Sequence, residues 1–299
     1  MRRLIHRFVS VGTVAVLVVA WLAGALALGL ATHSGATATV TLMALGLLVG
    51  GVLLLFRHSL DLAARIGNLG TESQRTLTSV RRIEPRIWTE LNQTFRQVEA
   101  IQTLTAVVPT SDVVPATRGW AASPDLLLTL VDQVISHRPS LVVECGSGAS
   151  TLWLALTLRR FGIDGRVVAL DHDPVYAAKT RDFLARHGVS DLAEVRDAPL
   201  EDFSLPDATY SWYARSAWED LTGIDLLFVD GPPAGTGSKA RYPALPLLKE
   251  ALSVAATIVL DDLVVPDMQE TLRLWLDAYP EFGAEILPLE KKAALLRKG

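Results

Sequence analysis

The sequence predicts an α/β protein: a doubly wound, mostly parallel seven-stranded sheet with an antiparallel C-terminal hairpin, preceded by two transmembrane helices and a helical stalk. Three observations predict it. Two uncharged apolar runs fill most of residues 1–56. An amphipathic pattern with steps of three and four residues follows. From about residue 120, short β-branched runs alternate with helical ones, a pattern that calls for crossover connections and a parallel sheet. The segments are therefore 1–56 for a membrane hairpin, 57–105 for a stalk and 106–299 for the α/β domain.

The chain has 299 residues, half of them apolar, and a mean hydropathy of +0.31 whose excess sits at the N-terminus. A net charge of -4, with no basic stripe, gives no footing for nucleic acid as a partner. The single cysteine, Cys145, excludes an intrachain disulfide framework and a multi-cysteine zinc site.

The first apolar span covers residues 8–32 and the second 37–56, "TATVTLMALGLLVGGVLLLF", with only "HSGA" between them. A membrane helix needs about 20 apolar residues. A signal-peptide apolar core runs to only about 7–15, and here a second span follows at once, so an uncleaved hairpin is expected. Arg2, Arg3 and Arg7 precede the first span, and Arg57 and Arg65 follow the second. Basic flanks face the cytoplasm, which places both ends inside and the short loop outside. Gly46 and Gly50 form a GxxxG, a helix-packing pattern, although glycine is common in membrane helices generally.

In the stalk, Leu77, Val80, Ile83, Ile87, Leu91, Val98 and Ile101 mark one helical face. This face either packs on the domain or pairs with a second copy in a short coiled coil, a possible homodimer contact. Pro85 interrupts the pattern and predicts a kink or two helices. The proline-rich stretch 107–119 reads as a linker.

The α/β elements follow in order. Residues 123–137 form an amphipathic helix, with Ser123 as N-cap and Pro124 at the first helical position. Residues 140–145 are the first strand and 150–160 a helix. Residues 165–171 are the second strand, and 173–188 a helix capped by Asp173 and closed by Gly188. Residues 193–198, 224–231 and 256–262 are the third, fourth and fifth strands, with a helix at about 243–254 between the last two. Residues 283–289 and 292–298 are two further strands joined by a turn, and so tight a connection requires them to be antiparallel.

Open α/β sheets bind ligands outside the carboxyl ends of their strands, where strand order reverses. Gly146 and Gly148 fall at the end of the first strand, where the backbone can turn and approach a ligand. Asp171 ends the second strand, 23 positions after Gly148, where an acid can accept hydrogen bonds from ribose hydroxyls. Those features fit NAD or another adenosine ligand. Three details separate the two. The third glycine of G-x-G-x-x-G is missing. Glu144 stands just before the glycines, where it would repel a pyrophosphate and attract a sulfonium and an amino group. The antiparallel hairpin closes the sheet.

The segments "VECGSGAST" (143–151), "VVALDHDPVYAAKTRDFL" (167–184), "AEVRDAPLED" (193–202), "IDLLFVDGPP" (224–233) and "ATIVLDDL" (256–263) together resemble the class I S-adenosylmethionine-dependent methyltransferases, over roughly 120–299. The resemblance implies a Rossmann-like fold and S-adenosylmethionine as cofactor. It implies that Glu144, Gly146, Ser147 and Gly148 meet the methionine part and Asp171 the ribose, with His172 in the same crevice. It implies that Asp197 and Ala198 meet the adenine, and that Asp230 lines the pocket facing the substrate.

Asp230, Asp261 and Asp262 lie at the carboxyl ends of the fourth and fifth strands and should converge. The chain resembles the cation-dependent, catechol-type O-methyltransferases here, which implies a divalent cation such as Mg2+ on these three acids. "DGPP" and Asp-Asp depart from that pattern. The other reading makes Asp230 or Asp261 a general base or a helix cap. Arg241 and Tyr242 are candidates to orient an anionic or glycosyl acceptor, and Trp212, Tyr213 and Trp218 form either a substrate lid or buried packing. Cys145 reads as a small buried residue. The expected activity is methyl transfer to a hydroxyl of a small molecule, glycan or lipid-linked acceptor at the cytoplasmic face of a membrane. An NAD-dependent oxidoreductase and an inactive membrane-tethered scaffold are the alternatives.

Overall fold

A computed structural model of the chain describes residues 11–31 and 36–299. It divides into two compact units, Met1–Trp88 and Thr89–Gly299.

In the first unit, helix α1 spans Val11–Ala31, and helix α2 starts at Ala36 and runs to Val107. The expected inter-span loop and Arg2, Arg3 and Arg7 fall wholly or mostly outside the described residues. The two helices meet through small residues. A side chain at Gly46 would overlap the Trp21 indole, and one at Gly50 would strike Val18. Trp21 Nε1 donates to the Leu42 carbonyl at 3.0 Å. The GxxxG is therefore a contact face, as helix pairs use it. Ala38–Arg81 contains a stretch long and apolar enough to cross a membrane, while the apolar part of α1, Ala15–Leu28, is shorter.

Of the two outcomes expected at Pro85, a division into two helices does not occur: α2 runs through it. A proline removes one hydrogen bond of the helical ladder, and the good helix-forming residues on both sides keep the helix going. Leu77, Val80, Ile83, Ile87 and Leu91 are exposed, whereas Ile101 of the same face is partly buried against the α/β core.

The second unit is built on a seven-stranded sheet of order β3-β2-β1-β6-β7-β9-β8. Its strands are β1 (Leu141–Cys145), β2 (Arg166–Asp171), β3 (Ala193–Asp197), β6 (Ile224–Val229), β7 (Leu252–Leu260), β8 (Phe282–Leu287) and β9 (Ala293–Lys298). β1, β2, β3, β6 and β7 are parallel, and β9 pairs antiparallel with both β7 and β8. The C-terminal hairpin is thus as expected, with its second strand inserted against β7.

Alternation along the strands sorts two cores. Val143, Cys145, Val168, Leu170, Leu227 and Leu260 point to one face, and Val142, Val167, Ala169, Phe228 and Val259 to the other. The second face is covered by α3 (Pro124–His137), α4 (Ala149–Phe161), α5 (Pro174–Arg186) and the end of α2, which contributes the buried Leu104. The first is covered by a two-stranded hairpin of β4 (Leu200–Ser204) and β5 (Thr209–Tyr213), by α6 (Ala244–Leu248) and by α7 (Pro266–Ala278). The hairpin and α7 are additions to the elements read from the sequence.

Two local expectations are corrected. The helix expected over 243–254 stops at Leu248 and a single tight turn, because Leu252 already pairs with Ile224 of β6. Ser123 holds the N-cap position of α3 but donates to the Asp125 carboxylate at 2.6 Å, and it is that carboxylate which accepts the Leu126 N–H at 2.9 Å. Asp173 caps α5 as expected, accepting from Val175 and Tyr176 N–H groups.

Candidate active site

The chain leaves β1 for β2 and β3 on one side, then returns to β6 on the other. The crevice at this reversal is where an open sheet takes a ligand. A cavity of about 340 Å³ lies there, lined by Glu144 and Gly146 from β1 and its loop, Asp171 and His172 at the end of β2, and Asp230 and Gly231 after β6. Ser147, Ser150, Asp173, Tyr176, Tyr213, Pro233 and Trp120 complete it.

The loop geometry comes from its glycines. Gly146 has φ +111°, a conformation that side chains rarely adopt. Gly231 is held for a different reason: a side chain there would collide with the Tyr213 hydroxyl and the Cys145 carbonyl. Gly148 is the N-cap position of α4. Glu144 points to the face under the first turn of α4, where it accepts from the Ser150 and Thr151 hydroxyls, the latter at 2.5 Å. It is 1% exposed, and burial pushes its carboxyl up to about 7 against the pull of the two hydroxyls. Asp171 accepts from Ser147 Oγ at 2.5 Å and from the Asp173 N–H at 3.0 Å. His172 Nδ1 lies 3.8 Å from Asp171 Oδ1. Cys145 is fully buried and its thiol is pushed up by that burial, so it is no nucleophile.

Beside the cavity, Asp230, Asp261 and Asp262 do converge, each offering an oxygen within 4.8 Å of the others. Arg241 stands among them. Its Nη2 is 3.2 Å from Asp230 Oδ1 and 2.8 Å from Asp262 Oδ2, and Nη1 donates to the Asp261 carbonyl at 3.3 Å. Lys291 Nζ is 3.4 Å from Asp262 Oδ1. Burial pushes Asp230 and Asp261 up; Arg241 pulls Asp230 back, Asp262 raises both, and Asp230 raises Asp261 further. Burial would lower Arg241, but Asp230 and Asp262 outweigh it and hold the guanidinium charged. Asp230 alone of the three lines the cavity.

The structure does not gather every candidate. Asp197 ends β3 with 58% of its side chain exposed, paired with Arg181 at 2.7 Å, and Ala198 is buried with its N–H on the Asp171 carbonyl. Neither lines the cavity as described, nor does Gly148. Of the two readings left open for the aromatics, the structure bears out buried packing for Trp212 and Trp218. Trp212 and Trp218 are buried against Phe203 in the hairpin core, with ring centroids 5.8 Å apart; only Tyr213 reaches the cavity. Neither Arg241 nor Tyr242 lines the cavity. Arg241 is taken up by the acids, and Tyr242 packs on Tyr210. Trp120, Tyr176 and Ser150 line the cavity without having been singled out. Trp120, 90% exposed beside Gly119, gives no periodic signal in the sequence.

Residues 143–263 match the family model described as a methyltransferase domain. The methyltransferase-domain match thus begins inside β1 and ends just past β7, and contains Glu144, Asp171, Asp230, Arg241, Asp261 and Asp262. A catechol O-methyltransferase of Mycobacterium tuberculosis (strain ATCC 25618 / H37Rv) is 36% identical over 164 residues, 54% of this chain. The chain spans 64% of that relative's length. Among solved structures, an SAH-bound methyltransferase of Podospora anserina is 17% identical with a TM-score of 0.48, over 68% of this chain and 87% of that one. An O-methyltransferase of Bacillus cereus in complex with SAH is 20% identical with a TM-score of 0.45, over 68% of this chain and 90% of that one.

Proposed function

We propose that this protein is a methyltransferase that moves the methyl group of S-adenosylmethionine to an acceptor hydroxyl, and that its N-terminal helices anchor it in a membrane. The observation that carries the first part is the charge of the cavity. Glu144, Asp171, Asp173 and Asp230 line it, with no lysine or arginine among its described lining residues. A dinucleotide would bring a pyrophosphate to four acids, and the N-terminus of α4, where such a group normally docks, already has the Glu144 carboxyl beneath it. A ligand with a sulfonium and an ammonium meets complementary charge there. Asp171 offers acceptors for ribose hydroxyls, and Tyr176 and Trp120 offer aromatic surface. The residues therefore fit this cofactor.

S-adenosylmethionine supplies an electrophilic methyl carbon on a cationic sulfur. The chain's task is then to place the acceptor oxygen in line with that carbon and to take its proton. Asp230, at the cavity and raised toward neutral by burial, is the group positioned to accept the proton as the C–O bond forms and the C–S bond breaks. Transfer to oxygen draws support from the catechol O-methyltransferase relative. The apolar stretch within Ala38–Arg81 supports the anchor. Arg57 and Arg65 beyond it support a cytoplasmic α/β unit, and on this reading the anchor favours an acceptor made at that surface, such as a lipid-linked glycan precursor.

A thermal-shift titration of the full chain in detergent tests the cofactor. S-adenosylhomocysteine is expected to raise Tm and NADH to leave it unchanged. Stabilisation by NADH alone would turn the reading to an oxidoreductase. Binding without any transfer of labelled methyl to membrane extracts would leave a scaffold.

A further inference from the structure

The acid cluster that resembles a divalent-cation site already contains its cations. A hard metal ion needs free oxygen ligands converging at about 2–2.6 Å. Both oxygens of Asp262 are committed, one to Arg241 at 2.8 Å and one to Lys291 at 3.4 Å, and Asp230 Oδ1 faces the same Arg241 nitrogen at 3.2 Å. Arg241 is not a passing surface partner: it is 6% exposed and tied to the backbone as well, through the Asp261 carbonyl. A metal ion placed between the acids would have to expel this guanidinium, or sit beside it and be repelled by it. Either arrangement leaves a buried charge without its partner, which is strongly unfavourable. Arginine also stays protonated under all ordinary conditions, so the obstacle does not titrate away.

We infer that Arg241 is the resident cation of the Asp230–Asp261–Asp262 cluster, and that these acids do not take a divalent metal ion. The guanidinium differs from a metal ion in having no open coordination position to offer an incoming oxygen. An acceptor therefore gains nothing by presenting two vicinal hydroxyls, as a chelated ortho-diol would. It need present only one, to Asp230. This consequence for the acceptor rests on the proposed methyl transfer; the statement about the metal does not.

Manganese binding tests the inference without any turnover. The full chain in detergent, stripped with EDTA and desalted, is titrated with Mn2+ while the EPR signal of the free ion is followed. Wild type and Asp262→Asn are expected to give superimposable titrations, any weak binding common to both being elsewhere on the chain. Loss of about one equivalent of free Mn2+ per chain in wild type that Asp262→Asn lacks would overturn the inference. Arg241→Gln, if it folds, is expected to bind about one equivalent that wild type does not. A folded Arg241→Gln that gains none would remove Arg241 as the reason and overturn its role. If that variant does not fold, the comparison of wild type with Asp262→Asn still decides. Methyl transfer that continues undiminished in EDTA would agree with the inference, and transfer that EDTA abolishes and Mg2+ restores would overturn it. A chain that binds no Mn2+ at the cluster but transfers no methyl group would sink the proposed function and leave this inference standing.

Discussion

Glu144 is a carboxyl held in the core by two hydroxyls, and its environment sets a pH dependence with a definite sign. Its native value lies near 7, above the ordinary 4.5, so between those values the native state keeps a proton that the unfolded chain releases. Its contribution to stability is thus fully present below the ordinary value and is lost as pH rises through about 7. Glu144→Gln, which has no proton to lose, should match wild type most closely near pH 5 and gain on it by about 2–3 kcal/mol toward pH 8. Denaturant unfolding of both proteins at the two pH values reads this difference; a gap independent of pH would refute the raised value. Glu144, Gly146 and Asp171 were legible in the sequence because strand ends and glycines are local signals. The role of Arg241 was not. Its partners Asp230 and Asp262 are 11 and 21 positions away, and only the packed loop brings them within an ion-pair distance. The carboxylates read either as metal ligands, from their strand-end positions and the resemblance, or as a general base or cap, and the cation that faces them lies outside any motif.

At the scale of elements, α2 shows how far a pattern carries. The three- and four-residue steps gave a helix, but they could not say which of its turns are covered. Leu104 is fully buried in the core that also holds Leu126, Leu127 and Leu130 of α3, whereas Ile87 is 52% exposed. Between them, Gln97 and Asp125 exchange two hydrogen bonds, at 2.9 and 3.2 Å, and so fix the end of α2 to the start of α3. Asp125 also accepts from the Glu290 N–H at 2.8 Å, which extends the tie to the C-terminal hairpin. Leu104→Ala should therefore cost about 2–5 kcal/mol, the usual range for a buried leucine, while Ile87→Ala should stay within about 0.5 kcal/mol, as exposed positions do. Denaturation midpoints of the two variants separate these outcomes, and similar losses at both positions would mean that the helix face at Ile87 is covered. β4 and β5 have five residues each and carry charged and aromatic residues rather than aliphatic runs, so the pattern left Trp212 open to either a lid or buried packing. α7 carried a usable signal, with Pro266 at its start and Met268, Thr271, Leu272 and Trp275 buried at helical spacing.

At the scale of the molecule, the question is what the apolar N-terminal unit does for an α/β unit that has its own core. Val16, Leu17, Val19, Leu47, Leu48 and Leu55 are all more than half exposed. In water such a surface would be far beyond the apolar patches that soluble proteins tolerate. In a bilayer the same residues lose nothing, because the surrounding lipid is as apolar as they are. The packing of Trp21 and Val18 onto Gly46 and Gly50 needs no hydrophobic effect, only close approach and the hydrogen bond to the Leu42 carbonyl, which is how helices associate in lipid. On the proposed reading this unit is an address rather than part of the chemistry. Two outcomes are then expected together. The chain should stay in the pellet when membranes are washed with alkaline carbonate, which strips peripheral proteins. In sealed vesicles with the cytoplasmic face inward, added protease should leave the α/β unit intact until detergent opens them, because Arg57 and Arg65 keep that end of the span inside. Release by carbonate would refute the anchor. Retention with cleavage in sealed vesicles would keep the anchor, invert the topology, and put the candidate active site on the wrong side for an acceptor made at the cytoplasmic face.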